Sequence, residues 1–169
     1  MTRWPASAPA VTHAVTLSGP WADAILRPVP PGARAPGPKD IENRSRRPPA
    51  ARLGSWVAVH SGRKVDRAGL AWLRDTFGYP WGAADLSPRG LILGVVRLLD
   101  APPLVAESPG DPWYFGPRRG GKPNVGWRLG EALAVDPLPW RRGFLGCWPL
   151  PGDVRDALNA ALRGRAAGA

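Results

Sequence analysis

Cysteine, histidine, lysine and long apolar runs are all scarce in this chain, and each scarcity excludes something. Cys147 is the only cysteine, so no intramolecular disulfide can form and nothing points to an oxidising compartment. It stands beside Trp148 in an apolar stretch, where a thiol packs as a small hydrophobe rather than acting as a nucleophile. His13 and His60 are the only histidines. They lie far apart among scattered carboxylates, and no zinc-ligand spacing appears. No run approaches the roughly 20 apolar residues of a membrane span. Met1 to Ala10 holds one arginine and no apolar core, which is not the pattern of a secretory signal. The expectation is a cytoplasmic protein with no membrane partner. P-loop, Rossmann, G-x-S-x-G and Cys–His signatures are all missing.

Acidic residues are few as well. Asp and Glu number 13 against 23 Lys and Arg, for a net charge of +10. Lys39, Lys64 and Lys122 are the only lysines, so arginine carries the excess. A GC-rich coding sequence would exchange lysine for arginine, but it would not create the net excess. The balance points to a polyanionic partner, RNA or another single-stranded nucleic acid first. Gly and Pro supply 21 and 22 of the 169 residues, which touches the range of disordered chains. Nine tryptophans and several unbroken apolar runs argue instead for a packed domain with long, stiff loops. One domain over 11–163 is expected, with flexible ends at 1–10 and 164–169. A monomer is the simplest state.

Residues 11–17 alternate with period two and predict a strand. Ser18 can cap a short helix over 20–26, with Trp21 and Ile25 on its buried side. The proline-rich 28–38 stretch cannot be regular structure. Strands are expected near 41–47 and 55–60, paired antiparallel, then near 91–99, 127–135 and 143–150. Gly94 is a candidate bend. Asp66 can cap a helix running to Phe77, with Gly78 as its terminator. Residues 153–163 predict a short amphipathic helix.

The densest chemistry lies at Gly37-Pro38-Lys39-Asp40-Ile41-Glu42-Asn43-Arg44, which reads G-x-K-x-x-E-x-R. A glycine, a point cation, a carboxylate and a planar guanidinium are the parts of an anionic-ligand cleft. Strand parity puts Asp40, Glu42 and Arg44 on one face and Ile41 and Asn43 on the other. Lys39 must then lie in the preceding turn, from which it could reach over the cleft mouth, unless a bulge re-aims it. The alternative is a Glu–Arg pair that merely closes a barrel rim. Farther on, Trp113-Tyr114-Phe115 with Arg118, Arg119 and Lys122 has the composition of a single-stranded nucleic-acid platform. One or two of these rings could equally plug the core.

Around that motif stand Pro20-Trp21-Ala22-Asp23-Ala24-Ile25, Val59-His60-Ser61-Gly62, Gly90-Leu91-Ile92-Leu93-Gly94-Val95-Val96 and Gly143-Phe144-Leu145-Gly146-Cys147-Trp148. In this order, from about Val11 to Leu150, the chain resembles an ASCH domain of the PUA-like superfamily. The resemblance implies an α+β fold: a PUA-like mixed β-barrel flanked by short helices. By comparison, 28–38 is an insertion of roughly ten residues. The resemblance also implies RNA binding, and for some members hydrolysis of RNA or of a modified nucleoside. In one subgroup of much smaller proteins, similar to amidohydrolases of acetylated cytidine, the motif lysine works with a threonine three residues later. Lys39 matches the lysine, but Glu42 stands where the threonine would be.

The expected nucleic-acid-binding residues are Lys39, Glu42, Arg44, Arg46, Arg47, His60, Lys64, Tyr114, Phe115, Arg118, Arg119 and Lys122. Three function classes stay open. The first is an RNA or modified-base binder. The second is a hydrolase with Glu42 as general base and Lys39 polarising the substrate. The third is a protein-interaction module. No cofactor is expected, although a magnesium ion on Glu42 or Asp40 would serve the ribonuclease form of the second class.

Overall fold

The computed structural model describes residues 4–5, 7–100, 111–114, 125–140 and 142–167. In chain order the elements are β1 (His13–Gly19), α1 (Trp21–Leu26), β2 (Ile41–Arg44), a 3-10 turn (Ala50–Arg52) and β3 (Trp56–Val65). Then come α2 (Arg67–Phe77), β4 (Leu91–Asp100), β5 (Val125–Pro139), β6 (Cys147–Pro149) and α3 (Gly152–Ala167). The fold is α+β: a mixed sheet of six strands in the order β2-β5-β4-β3-β1-β6, with three helices. Among the described residues only β1 and β3 run parallel; every other pairing is antiparallel.

The sheet is open, with β2 and β6 at its edges. It nevertheless curls. Arg44, on the edge strand β2, donates a hydrogen bond of 2.8 Å to the carbonyl of Thr16 on β1, next to the opposite edge. Pairing between β1 and β6 stops at Val15↔Cys147. The Thr16 carbonyl is the next position along, and a side chain from the far edge satisfies it.

Both faces of the sheet are covered, which is why β4 and the Trp56–Val59 half of β3 read as nearly unbroken apolar runs. Trp56 and Ala58 point into one core with Val95, Trp148 and α3 residues Val154, Leu158 and Leu162. Val57 and Val59 point into the other, with Val15, Leu17, Ile25, Val96 and Trp127. Asn159 ties α3 to the sheet: its Oδ1 accepts from the Val11 N–H at 2.8 Å and its Nδ2 donates to the Val11 carbonyl at 2.9 Å. At the N-terminal end, Trp4 packs on Trp56 with ring centroids 5.0 Å apart.

Helix α2 begins and ends as its sequence predicts. The Asp66 side chain accepts from the Gly69 N–H, and Gly78 closes the helix at φ 72°. Two local expectations need correction. Helix α1 is preceded by Pro20 and has no side-chain cap, so Ser18 does not cap it. Strand β2 does not pair with β3; it pairs with β5, Ile41 facing Arg128 and Arg44 facing Val125. The reason lies in the connection, where the two prolines and the 3-10 turn carry the chain away from a hairpin return. Gly94 marks a close approach of backbone. A Cβ there would run into the Leu133 carbonyl and come within 2.8 Å of Leu26 Cδ2. The β4–β5 register slips at the same place, between Ile92 and Gly94.

Candidate functional site

The G-x-K-x-x-E-x-R stretch folds into a chain of ion pairs. Lys39 precedes β2, pinned by a 2.8 Å bond from its N–H to the Ala24 carbonyl. Its side chain turns forward along the strand. Nζ donates to the Ile41 carbonyl and lies 2.7 Å from Glu42 Oε2. On the other carboxylate oxygen, Arg44 Nε lies 2.9 Å from Glu42 Oε1. That N–H is not aligned on the oxygen and has no hydrogen-bond partner, so charge rather than a linear bond holds the pair. Two cations thus flank one carboxylate, leaving an excess of one positive charge. Strand parity holds as well, because Ile41 and Asn43 point the other way. Ile41 is buried beside Trp113, and Asn43 Nδ2 donates to the Trp113 carbonyl at 2.8 Å.

The reading of Lys39 as a cation reaching over the cleft mouth is corrected. Its side chain is 1% exposed, whereas those of Glu42 and Arg44 are 12% and 19% exposed. A turn lysine is drawn inward because the Ile41 carbonyl and Glu42 offer it two acceptors. Burial pushes its pKa below the usual lysine range, while the Glu42 charge and hydrogen bond pull it back up. The solvent-facing members are therefore Glu42, an acceptor, and Arg44, a donor. Arg44 also lies over the Trp127 ring, 5.4 Å from its centroid.

Lys39 Nζ also stands 5.8 Å from the centroid of the Trp21 ring. Trp21 opens α1 and is one wall of a cleft of about 550 Å³ lined by Trp21, Asp66, Ala68, Gly69, Trp72 and Tyr114. Asp66 builds this wall twice over. Its Oδ1 caps α2 at Gly69, and its Oδ2 accepts from Trp21 Nε1 at 3.0 Å. Gly69 is required for the approach, since a Cβ there would lie 2.5 Å from Trp21 Cζ2. Trp72 stands 6.2 Å from Trp21 and 6.1 Å from Trp113, centroid to centroid. Trp113 is buried, and the 28–38 stretch packs on the same cluster through Val29, Ala33 and Ala35.

His60 does not join this group. It is 1% exposed and packs edge-on against Trp148, 5.8 Å away, in the other core. Its Nε2 lies 2.8 Å from the Trp140 carbonyl, which can only accept, so Nε2 carries the proton. Neutral His60 then accepts at Nδ1 from the Thr16 hydroxyl, 3.2 Å away. That hydroxyl in turn accepts from Trp148 Nε1 at 3.0 Å and from the Phe144 N–H at 3.2 Å. Burial pushes the His60 pKa down. Thr16 thus meets Arg44 through its carbonyl and His60 through its hydroxyl.

Arg46, Arg47 and Lys64 are exposed, and the Arg46 carbonyl accepts from Trp127 Nε1 at 2.8 Å. Tyr114 lines the aromatic cleft. Phe115, Arg118, Arg119 and Lys122 lie outside the described residues. Burial pushes the Cys147 thiol up, which suits a packing role. Among the described residues no three His, Cys, Asp or Glu side chains group as metal ligands. Glu42 already has a cation on each oxygen. Also among the described residues, no helix is long and apolar enough to cross a membrane.

Sequence reasoning missed Thr16, Asp66 as an aromatic anchor, and Trp72. Trp72 sits next to Leu73 on α2, and its bulk within a capped helix was the available signal. Scanned against known families, the chain matches no family model, and a search of curated proteins finds no match.

Proposed function

We propose that this protein binds single-stranded RNA, or a modified base within it, on a curled sheet of the PUA-like, ASCH kind. The aromatic cleft of Trp21, Trp72 and Tyr114 carries the reading. Its walls are flat rings, and Asp66 fixes one of them by hydrogen bond. Stacking on such rings is worth about 1–3 kcal/mol per base and tolerates any sequence. Glu42 and Arg44 add an acceptor and a donor, joined to the Trp21 wall through Lys39. A carboxylate beside a guanidinium can read the edge of a base. The net charge of +10 supplies attraction for the phosphate backbone.

Binding is better supported than hydrolysis. The Lys39 ammonium faces the Ile41 carbonyl and Glu42 inside the protein. It is not presented to a substrate group that it would have to polarise.

The test is a titration of labelled single-stranded RNA with and without magnesium, at low salt, read for both retardation and cleavage. Saturable binding without cleavage is expected, weakened about tenfold by Trp72→Ala. No binding at low salt would overturn the reading, and magnesium-dependent cleavage would replace it with the hydrolase.

A further inference from the structure

A second cleft, of about 460 Å³, opens on the His60 side of the sheet and is lined by Thr16, His60, Gly62, Arg63, Arg142 and Gly143. Its chemistry follows from what its walls can offer. Both His60 nitrogens are committed, one to the Trp140 carbonyl and one to Thr16. The Thr16 hydroxyl is committed as well, to His60, Trp148 and Phe144. What remains is two guanidinium groups. Among the described residues no carboxylate lines the cleft, and neither Arg63 nor Arg142 is in an ion pair. The Arg142 guanidinium is steadied by the Phe144 ring, 5.0 Å from its centroid.

Two like charges lining one concavity repel each other, and an anion between them relieves that repulsion. Two of the lining residues are glycines that pack tightly against their neighbours. A Cβ on Gly143 would lie 2.6 Å from Thr16 Oγ1 and 2.9 Å from His60 Cε1. A Cβ on Gly62 would press on the Leu17 carbonyl at 3.1 Å and Thr16 Cγ2 at 3.2 Å. Only glycine at these two positions lets the backbone come this close to β1 and His60.

We propose that this cleft is a phosphate-binding site, taking the phosphate ester of a nucleotide between Arg63 and Arg142. Planar guanidinium forks match phosphate oxygens in pairs, which a point cation does not. The size exceeds a bare phosphate and lies in the range of small-molecule sites. The proposal stands on a different face from the aromatic cleft and does not depend on it.

The His60 Cε1 proton is the reporter, because His60 lines the cleft while both nitrogens are fixed. Inorganic phosphate, uridine 5′-monophosphate and a short single-stranded RNA are each titrated while its NMR resonance and the Gly62 and Gly143 amides are followed. Saturable shifts are expected with at least one probe. Tightest binding by the mononucleotide assigns a free nucleotide, and tightest binding by the oligomer assigns an RNA backbone phosphate. The Arg63→Ala/Arg142→Ala double variant should weaken the shifts at least tenfold, and Arg97→Ala on exposed β4 surface should not. Both arginines are exposed, so the variant keeps its fold, checked by the dispersion of the same spectrum. The proposal is overturned if no probe moves these resonances, or if the double variant responds like the parent. RNA that binds without moving His60 would sink this site while leaving the aromatic-cleft reading intact.

Discussion

Lys39 and Glu42 are bound to each other's fate, since a side chain 1% exposed cannot find water if its partner is removed. Glu42→Gln leaves the ammonium buried without its counter-charge and should cost about 3–5 kcal/mol. Lys39→Met keeps most of the volume, removes the charge and leaves Glu42 paired with Arg44. It should cost less than half as much. Urea denaturation of the two variants checks the order, and a larger loss for Lys39→Met would mean the ion pair is not what holds this turn. The residues of the pair were legible in the sequence, because spacing brought a cation and a carboxylate within reach. Their burial was not. Whether a turn lysine points out or in depends on the Ile41 carbonyl and on neighbours such as Trp21, more distant in the chain.

At the scale of elements, α2 and α3 do different work, and two substitutions separate them. Asp66→Ala removes the cap of α2, worth about 1 kcal/mol, and also strips Trp21 Nε1 of its acceptor. It should lower stability modestly and weaken RNA binding severalfold, because the Trp21 wall loses its anchor. Asn159→Ala orphans the N–H and the carbonyl of Val11, a residue with no exposed surface. Each orphaned group costs about 1–3 kcal/mol, yet RNA binding should not change at temperatures where the variant stays folded. Paired melting and binding measurements check both, and equal effects on binding would deny α2 its special place. The α2 cap and terminator were readable because capping is local. The partner of β2 was not, because strand pairing is decided by which edge the curled sheet presents. That edge is β5, far along the chain.

For the whole molecule, pH acts through the histidines. Burial lowers the His60 pKa, and burial followed by the Arg52 charge lowers that of His13. The unfolded chain then binds the proton more readily than the folded one. Stability is complete above the ordinary histidine value of about 6.5 and is lost as pH falls through it toward the folded value. Protonated His60 would also place a second N–H against a Thr16 hydroxyl that already accepts twice. Asp40, raised by burial and by Asp111, works in the opposite sense, but nearer the carboxylate range. The urea midpoint should fall between about pH 7 and about pH 5, and His60→Gln should flatten that slope. A midpoint that is level across the window would contradict this. Salt acts through the net charge: RNA affinity should decline with a log–log slope of about −0.7 per phosphate neutralised. A flat salt response would remove the electrostatic part of the proposal.

The sequence by itself determined the approximate place of the described strands and helices, the capped helix α2, and the meeting of Lys39, Glu42 and Arg44. These rest on periodicity, capping and short spacing, which act over a few residues and survive without context. Only the tertiary structure decided that β2 pairs with β5 and that the sheet stays open but curled. It also decided that Lys39 is buried and that His60 belongs to the opposite core from Arg44. Those outcomes depend on contacts between segments tens of residues apart. The burial of Lys39 and His60 is set by how the sheet curls and which rings pack against it, and a linear pattern of residue types carries no direct record of that.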